Sequence, residues 1–248
     1  MSNNFYDELA KKEFRTLYKG IYDKEDGMLK ILRSFKMAKD GADRFLDLGC
    51  GTGFSTDIVR KVKSFKKVYG VDVSAEAVKI AKSKGIEAYQ VNLDTQRLPF
   101  DDEWFDAILA SEVIEHLLIP DHLLDEVYRV LRKSGIFVIK TPNLSSWVNR
   151  IVLLLGYQPL ATEVSFLHNV GKPRGSAGEL VGHIRVFTHR ALKELLQLHK
   201  FVVVSELGVK MPTAWHLPLP TKIIDSIIHR WSSLAYDVIF VCRKSTSS

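Results

Sequence analysis

The stretch that decides the fold is FLDLGCGTGF, Phe45 to Phe54. A short apolar run ends in Asp47 and passes into three alternate glycines, Gly49, Gly51 and Gly53, and a helical pattern opens directly after them. Glycine is required where the backbone must turn sharply and let a ligand approach without a Cβ in the way. The spacing is G-x-G-x-G rather than the G-x-G-x-x-G of dinucleotide folds, and a glycine turn alone says little.

Its surroundings say more. Outward from the turn, Arg44–Leu48, Lys67–Val71, Ala88–Val91, Phe105–Ala110 and Ile136–Lys140 read as strands, short, apolar and bounded by Gly, Asp, Asn or Pro. Between them, Thr56–Lys63, Ala75–Lys84 (with Ser74 as N-cap) and Asp121–Leu131 read as helices. Such alternation predicts a parallel sheet with helices on both faces. The ends depart from it. Residues 5–38 read as two helices around Gly20 to Gly27, and 143–182 contain a Gly-rich basic stretch, Gly171–Gly178, with loop character. Thr188 is placed to cap a helix to His199, and Phe201–Leu207 and Tyr236–Cys242 read as two last strands.

Two acids follow the turn at telling intervals. Asp72, in VYGVDVS, ends the second strand about 20 residues on, where a carboxylate can accept from both hydroxyls of a ribose. Asp94 follows the third strand, and then comes LPFDDEWFDAILASEVIEHL, Leu98 to Leu117.

In this order the elements resemble a class I S-adenosylmethionine (SAM)-dependent methyltransferase of the type 11 and ubiquinone-biosynthesis-like group. FLDLGCGTG is similar to the family's first motif, VDVS to its second, NLDTQRLPFDDEWFDAI to its third, and LRKSGIFVIKTPN to the run into its fifth strand. The resemblance is close over roughly residues 40–145. It implies an α/β, Rossmann-like fold: a seven-stranded, mostly parallel sheet flanked by helices, with an antiparallel last strand between the fifth and sixth. It implies one domain, with a helical cap over 1–40, a SAM-binding core over 41–142, a lid on the acceptor side over 143–187 and the last helices and strands over 188–248.

The resemblance carries residues over by position. Asp47, Gly49, Cys50, Gly51 and Gly53 would form the turn under the methionine part of SAM, with the Asp47 carboxylate bridging to its amino group. Asp72 and Val73 would hold the ribose, Leu93 and Asp94 the adenine, and Ser111 and Glu112 would lie beneath the sulfonium. The product would be S-adenosylhomocysteine. Methyl transfer is an in-line displacement with an excellent leaving group, so alignment and desolvation supply most of the acceleration. A base is needed only where the acceptor loses a proton, and His116 is the candidate, against a cap or packing role. Glu112, Glu115 and His116 stand at i, i+3 and i+4, one face of a helix. This E-x-x-E-H pattern is similar to the magnesium-binding set of some ubiquinone O-methyltransferases and small-RNA 3′-end methyltransferases, and His183 in GHIRVFT would add a fourth ligand. Bound Mg²⁺ is the less favoured reading.

Composition bounds the rest. The 248 residues are 46% hydrophobic and 26% charged, which excludes disorder. Two cysteines, Cys50 and Cys242, make no disulfide framework and suit a reducing compartment. The longest apolar run, Ile151–Leu155, is too short for a membrane span, and MSNNFYDELAKK has no signal-peptide pattern, so a cytoplasmic location is expected. The net charge of +6 divides unevenly: 15 basic and 10 acidic residues over 1–67, 4 and 13 over 68–128, 16 and 6 over 129–248. The acidic middle coincides with the segment expected to hold a cationic cofactor. The basic last segment, with Lys172, Arg174, Arg185 and Arg190, favours an anionic acceptor. In KIIDSIIHRW, Lys222–Trp231, the residues Ile223, Ile224, Ile227, Ile228 and Trp231 share a helical face. Such a face ordinarily covers a sheet; the alternative is an interfacial helix in peripheral contact with a membrane, reaching a lipid-linked substrate. The expected activity is methylation of a small molecule, with oxygen the favoured atom. A nucleic-acid acceptor lacks an RNA-binding module or arginine-rich tract to support it, and a SAM-binding protein without turnover is the third alternative.

Overall fold

The computed structural model describes residues 25–38, 41–62, 65–173, 180, 182–211 and 219–245. In chain order the elements are α1 (Glu25–Phe35), β1 (Arg44–Leu48), α2 (Phe54–Val62), β2 (Lys67–Asp72), α3 (Ala75–Ser83), β3 (Glu87–Gln90), β4 (Phe105–Ser111), a 3₁₀ turn (Ile114–His116), α4 (Pro120–Val130), β5 (Leu131–Pro142), α5 (Trp147–Leu154), α6 (His189–Leu198), β6 (Phe201–Val209), α7 (Leu219–Ile228) and β7 (Asp237–Lys244).

The seven strands form one sheet in the order β3-β2-β1-β4-β5-β7-β6. β3, β2, β1, β4 and β5 pair in parallel, and β7 runs antiparallel to both β5 and β6. This is the expected topology, including the placement of the last strand. The order reverses beside β1, whose two neighbours are β2 and β4. Ligands of such sheets bind outside the carboxyl ends of the strands at that point.

Strand period explains the layers. In β1, Phe45 faces one side and Leu46 the other, and the buried residues divide into two clusters accordingly. One cluster packs Leu46, Leu48, Ile108, Phe137 and Phe240 against Leu123, Leu124 and Val127 of α4 and Leu192 and Leu196 of α6. The other packs Phe45, Leu109, Val138 and Ile239 against Ile31 and Phe35 of α1, Val59 of α2 and Val78 and Ala81 of α3. A sheet buried on both faces accounts for strands that read as continuous apolar runs.

Ser74 caps α3 as expected, its Oγ accepting from Ala77 N at 3.1 Å, and Thr188 caps α6 the same way through Ala191 N. Two expectations need correction. α1 runs through Gly27 rather than breaking at it. A Cβ there would lie 3.1 Å from Lys140 Cε, so glycine lets the helix pass close over that side chain. The first expected N-terminal helix lies outside the described residues, as does most of Gly171–Gly178. Residues 147–154, within the 143–187 segment for which the sequence names no helix, form α5, capped by Ser146. Finally, the Lys222–Trp231 face does not cover the sheet. Asp225 and Ile228 point inward, whereas Ile223, Ile224, Ile227 and Trp231 are exposed. Asp225 decides this, because it is buried and accepts from Trp147 Nε1 and Met211 N.

Candidate active site

The carboxyl ends of β1, β2 and β3 bring the predicted cofactor residues together. Gly49, Gly51 and Gly53 have φ of +65°, +51° and +80°, the left-handed region that glycine alone enters freely. At Gly49 a Cβ would also stand 2.6 Å from Val113 Cγ2. Cys50, between them, is buried, with burial pushing its thiol far above the ordinary range, so it is a packing residue and no nucleophile. Asp72 Oδ2 accepts from Gly51 N at 2.8 Å and Oδ1 from Ser74 N at 2.9 Å. The glycine turn after β1 is thus tied to the acid that ends β2, and the carboxylate is held in one orientation.

Asp47 is 3% exposed, and its Oδ2 accepts from Thr56 Oγ1 at 2.6 Å. Burial pushes its pKa up to about 7; the nearby Asp72 charge adds to the rise and the Thr56 hydrogen bond opposes it. Asp94 Oδ1 accepts from Ile119 N at 2.9 Å. Beyond the ends of β2 and β3 lies a depression of about 350 Å³ lined by Val73, Gln90, Asn92, Thr95 and Gln96. Three carboxyl groups at or just after adjacent strand ends suit a cationic molecule rich in hydroxyl and amino donors. The donor set therefore fits SAM.

On the far side of the β4 terminus the geometry differs from expectation. Glu112, Glu115 and His116 do not share an α-helical face. Glu112 has φ of +57°, and only a 3₁₀ turn follows it. Its side chain pairs with Lys140, which also contacts Asp237 Oδ2 at 2.6 Å. Burial opposes the Lys140 charge, but the two carboxylates hold its pKa above the ordinary lysine value.

Glu115 and His116 instead meet His183. One potential ligand atom from each lies within 4.8 Å of the others. The contact is built by backbone: Ile184 N and Arg185 N both donate to Glu115 O, at 2.9 and 3.0 Å, and so dock the 182–185 strip on the 3₁₀ turn. His116 Nδ1 lies 3.1 Å from Gly182 O, and His183 Nδ1 lies 2.7 Å from Ala161 O. A ring nitrogen facing a carbonyl must donate, so in the neutral rings Nε2 carries the lone pair. Burial, and then the neighbouring His183, hold the His116 pKa below the ordinary histidine value, while Gly182 O and two carboxylates pull the other way. Glu115 is fully buried. Its Oε2 accepts from Thr141 Oγ1 at 2.9 Å, and its Oε1 has no hydrogen-bond partner, lying 3.9 Å from His183 Nε2. Burial and the nearby Glu112 charge raise its pKa well above the ordinary value.

Of the remaining sequence candidates, Leu93 is buried, and Val73 lines the depression. Ser111 ends β4, so it stands with Glu112 at the reversal point. Arg185 Nη2 donates to Leu118 O close to the cluster, Arg190 pairs with Glu194 on the surface of α6, and Arg174 is outside the described residues. His189 is packed, contacting Glu206 and Ser232. Sequence reasoning missed Thr56, Thr141 and Lys140. Lys140 has a visible signal, a lone charge within the apolar run IFVIKTP.

Known proteins are similar to this chain. The family of methyltransferase domains matches residues 46–139. An uncharacterized protein of Methanocaldococcus jannaschii is 27% identical over 97% of this chain and 89% of its own. A "Probable S-adenosylmethionine-dependent methyltransferase" of Mycobacterium tuberculosis is 36% identical over 40% of this chain, a match that spans 35% of its own length. Among solved structures, a chain in the complex between the Haloferax volcanii Trm112 methyltransferase activator and a methyltransferase superposes with a TM-score of 0.66, at 16% identity and 97% coverage of both chains. At that identity the likeness shows the fold. The glycine turn tied to the acid of β2, the reversal point beside it and the matched residues agree: residues 46–139 match a methyltransferase domain, and the findings support a class I SAM-dependent methyltransferase.

Proposed function

We propose that the chain transfers the SAM methyl group to a hydroxyl of a small, anionic molecule, with His116 as general base. The observation that carries the reading is the fixed tautomer of His116. Gly182 O accepts from Nδ1, which leaves an acceptor nitrogen at the far side of the ring, one short turn beyond the end of β4. When bound, SAM supplies an electrophilic methyl on a sulfonium. The chain does the rest. Asp72 and Asp94 orient the cofactor by accepting from it, the ionised Asp47 favours its ammonium group, and the glycine turn admits it without a Cβ. His116 takes the proton of the acceptor hydroxyl on Nε2, and Glu115 lies next to the imidazolium that forms. In this reading residues 41–142 bind SAM, 143–187 form the acceptor side, 1–40 cap the site and 188–248 complete the sheet. Arg185 and Lys172, in the basic last segment, support an anionic acceptor.

A second reading rests on the orphaned Oε1 of Glu115. Glu115, His116 and His183 fit a divalent cation as a two-histidine, one-carboxylate set, with both histidines oriented through backbone carbonyls as metal ligands commonly are. The other expected ligand, Glu112, is engaged by Lys140, so the set is poorer in oxygen than Mg²⁺ prefers and suits transition-series cations better. Such a cation would acidify the acceptor hydroxyl, and it would use the same His116 nitrogen, so the two readings exclude each other. A nucleic-acid acceptor is the remaining alternative. RNA binding that weakens steeply with salt would support it.

The deciding experiment supplies isotope-labelled SAM to the protein with a metabolite extract and identifies the labelled product. A small anionic O-methyl product supports the proposal, and label in RNA, or none in any product, opposes it. Repeating it after chelation separates the two readings of His116.

A further inference from the structure

The satellite cluster of Trp147, Leu160 and Met211 joins α5 to α7, and Asp225 ties both helices to it. That accounts for their inward faces. Their outward faces are apolar as well. On α5, Ile151, Leu154 and Leu155 stand at i, i+3 and i+4, with Leu154 86% and Leu155 67% exposed. On α7, Ile223, Ile224 and Ile227 are exposed, and Trp231 just beyond it is too. The loop after α5 adds Phe166 and Leu167, the latter 82% exposed. Of twenty large apolar side chains exposed among the described residues, thirteen lie in 151–170 or 223–231. Isolated exposed apolar residues need no explanation, but a concentration of them marks a contact surface.

Charge identifies what the surface contacts. Arg150 and Arg230, at the edges of the two helices, are exposed. The acids of the same segments are turned away: Asp225 is buried, and Glu163 accepts from Gly182 N at 2.9 Å. Apolar rows edged by cations match the boundary of a bilayer with anionic headgroups. Tyr157 and Trp231, both exposed, are residue types that favour this boundary. A second copy of the chain would bring like charges together. Among the described residues no helix is long and apolar enough to cross a membrane, so the contact lies in the interface plane.

We propose that the outward faces of α5 and α7, together with the Phe166–Leu167 loop, form a docking surface for membranes carrying anionic lipid headgroups. The surface abuts the candidate site. Ala161 O and Glu163, which hold His183 and Gly182, belong to the chain segment that follows α5. Docking therefore sets the acceptor side of the site next to the lipid, whichever acceptor is methylated.

The test is flotation of the full chain with vesicles of phosphatidylcholine alone or mixed with phosphatidylglycerol, without SAM or acceptor, so its outcome is separate from that of the methylation assay. The protein is expected to float with the mixed vesicles. The double substitution Leu154→Glu with Leu155→Glu should lower the bound fraction about tenfold or more. Ile223→Glu with Ile227→Glu should act in the same direction and serves as the second variant should the first fail to fold by circular dichroism. Leu198→Glu, at a site 78% exposed on α6, should leave binding unchanged. No flotation of the parent chain would overturn the proposal, as would undiminished flotation of both double variants. A parent dimer that the α5 variant turns into a monomer, again without flotation, would assign the surface to a second copy.

Discussion

The cofactor side and the acceptor side of the site are built by different means. On the cofactor side, three consecutive strands deliver Asp47, Asp72 and Asp94 to one edge of the sheet, and the acids are fixed by nearby donors such as Gly51 N and Ser74 N. Everything there follows from strand register and one glycine turn. On the acceptor side, Glu115 and His116 are joined by His183 from the strip that docks on Glu115 O, and the histidine rings are oriented by Gly182 O and Ala161 O. That side depends on contacts between distant segments. The first design rests on neighbouring strand ends of a rigid sheet, whereas the second draws on connecting segments, the parts of a fold that can change without disturbing the scaffold.

If the two sides act separately, a substitution on one should leave the other's measurement nearly alone. The largest effect is expected from His116→Ala, which should lower turnover by roughly 10²–10⁴-fold, the usual contribution of a general base, while SAM affinity by calorimetry stays within about twofold. A fall in SAM affinity as large as the fall in turnover would show that the sides are not separable. Thr56→Val should weaken SAM binding near neutral pH by up to roughly tenfold. Without that hydrogen bond the Asp47 carboxylate loses a stabilising donor, and its charge is then less available to the ammonium group of SAM.

The pH dependence of binding has a defined sign. The Asp47 pKa is raised to about 7 by burial, so at lower pH the carboxyl is protonated in the unliganded protein and a cationic ligand must displace that proton. SAM affinity should therefore rise with pH, by up to about tenfold per unit below the pKa, and level off above it. Calorimetry in buffers of different ionisation enthalpy should detect proton release on the acidic side. Flat affinity over that range would remove Asp47 from contact with the ammonium group. The smallest effect is expected from Glu115→Gln on stability, within about 1 kcal/mol by denaturant unfolding. Burial and the nearby Glu112 charge already raise the carboxyl's pKa well above the ordinary value, so a neutral amide is tolerated there, and its N–H in place of Oε1 would face His183 Nε2. The same variant should lose most of any divalent-cation affinity, which an unchanged zinc or manganese titration would contradict.

The legibility of the two sides in the sequence differed for the same reason. The glycine turn, the strand starts at Arg44, Lys67 and Phe105 and the caps Ser74 and Thr188 are local features, and all appear where the residues place them. Strand ends moved by a few residues, as at β5, which begins at Leu131 rather than Ile136 because the chain enters the sheet straight from α4. Glu112 was misplaced because i, i+3, i+4 spacing implies a shared face only in an α-helix. The left-handed backbone at Glu112 breaks that premise and sends the side chain to Lys140. The role of Thr141, behind Glu115, follows from β4–β5 pairing and is invisible to local pattern. α5 was hidden because its apolar residues occupy both faces, which blurs helical periodicity and leaves Leu154 and Leu155 exposed.

The central claim is that SAM lies across the ends of β1–β3, held by Asp72. It is tested most directly by calorimetric titration of SAM into the parent protein and into Asp72→Ala. Loss of a carboxylate that accepts two ribose hydroxyls should weaken binding by about two orders of magnitude. Equal affinity for the two proteins would contradict the assignment.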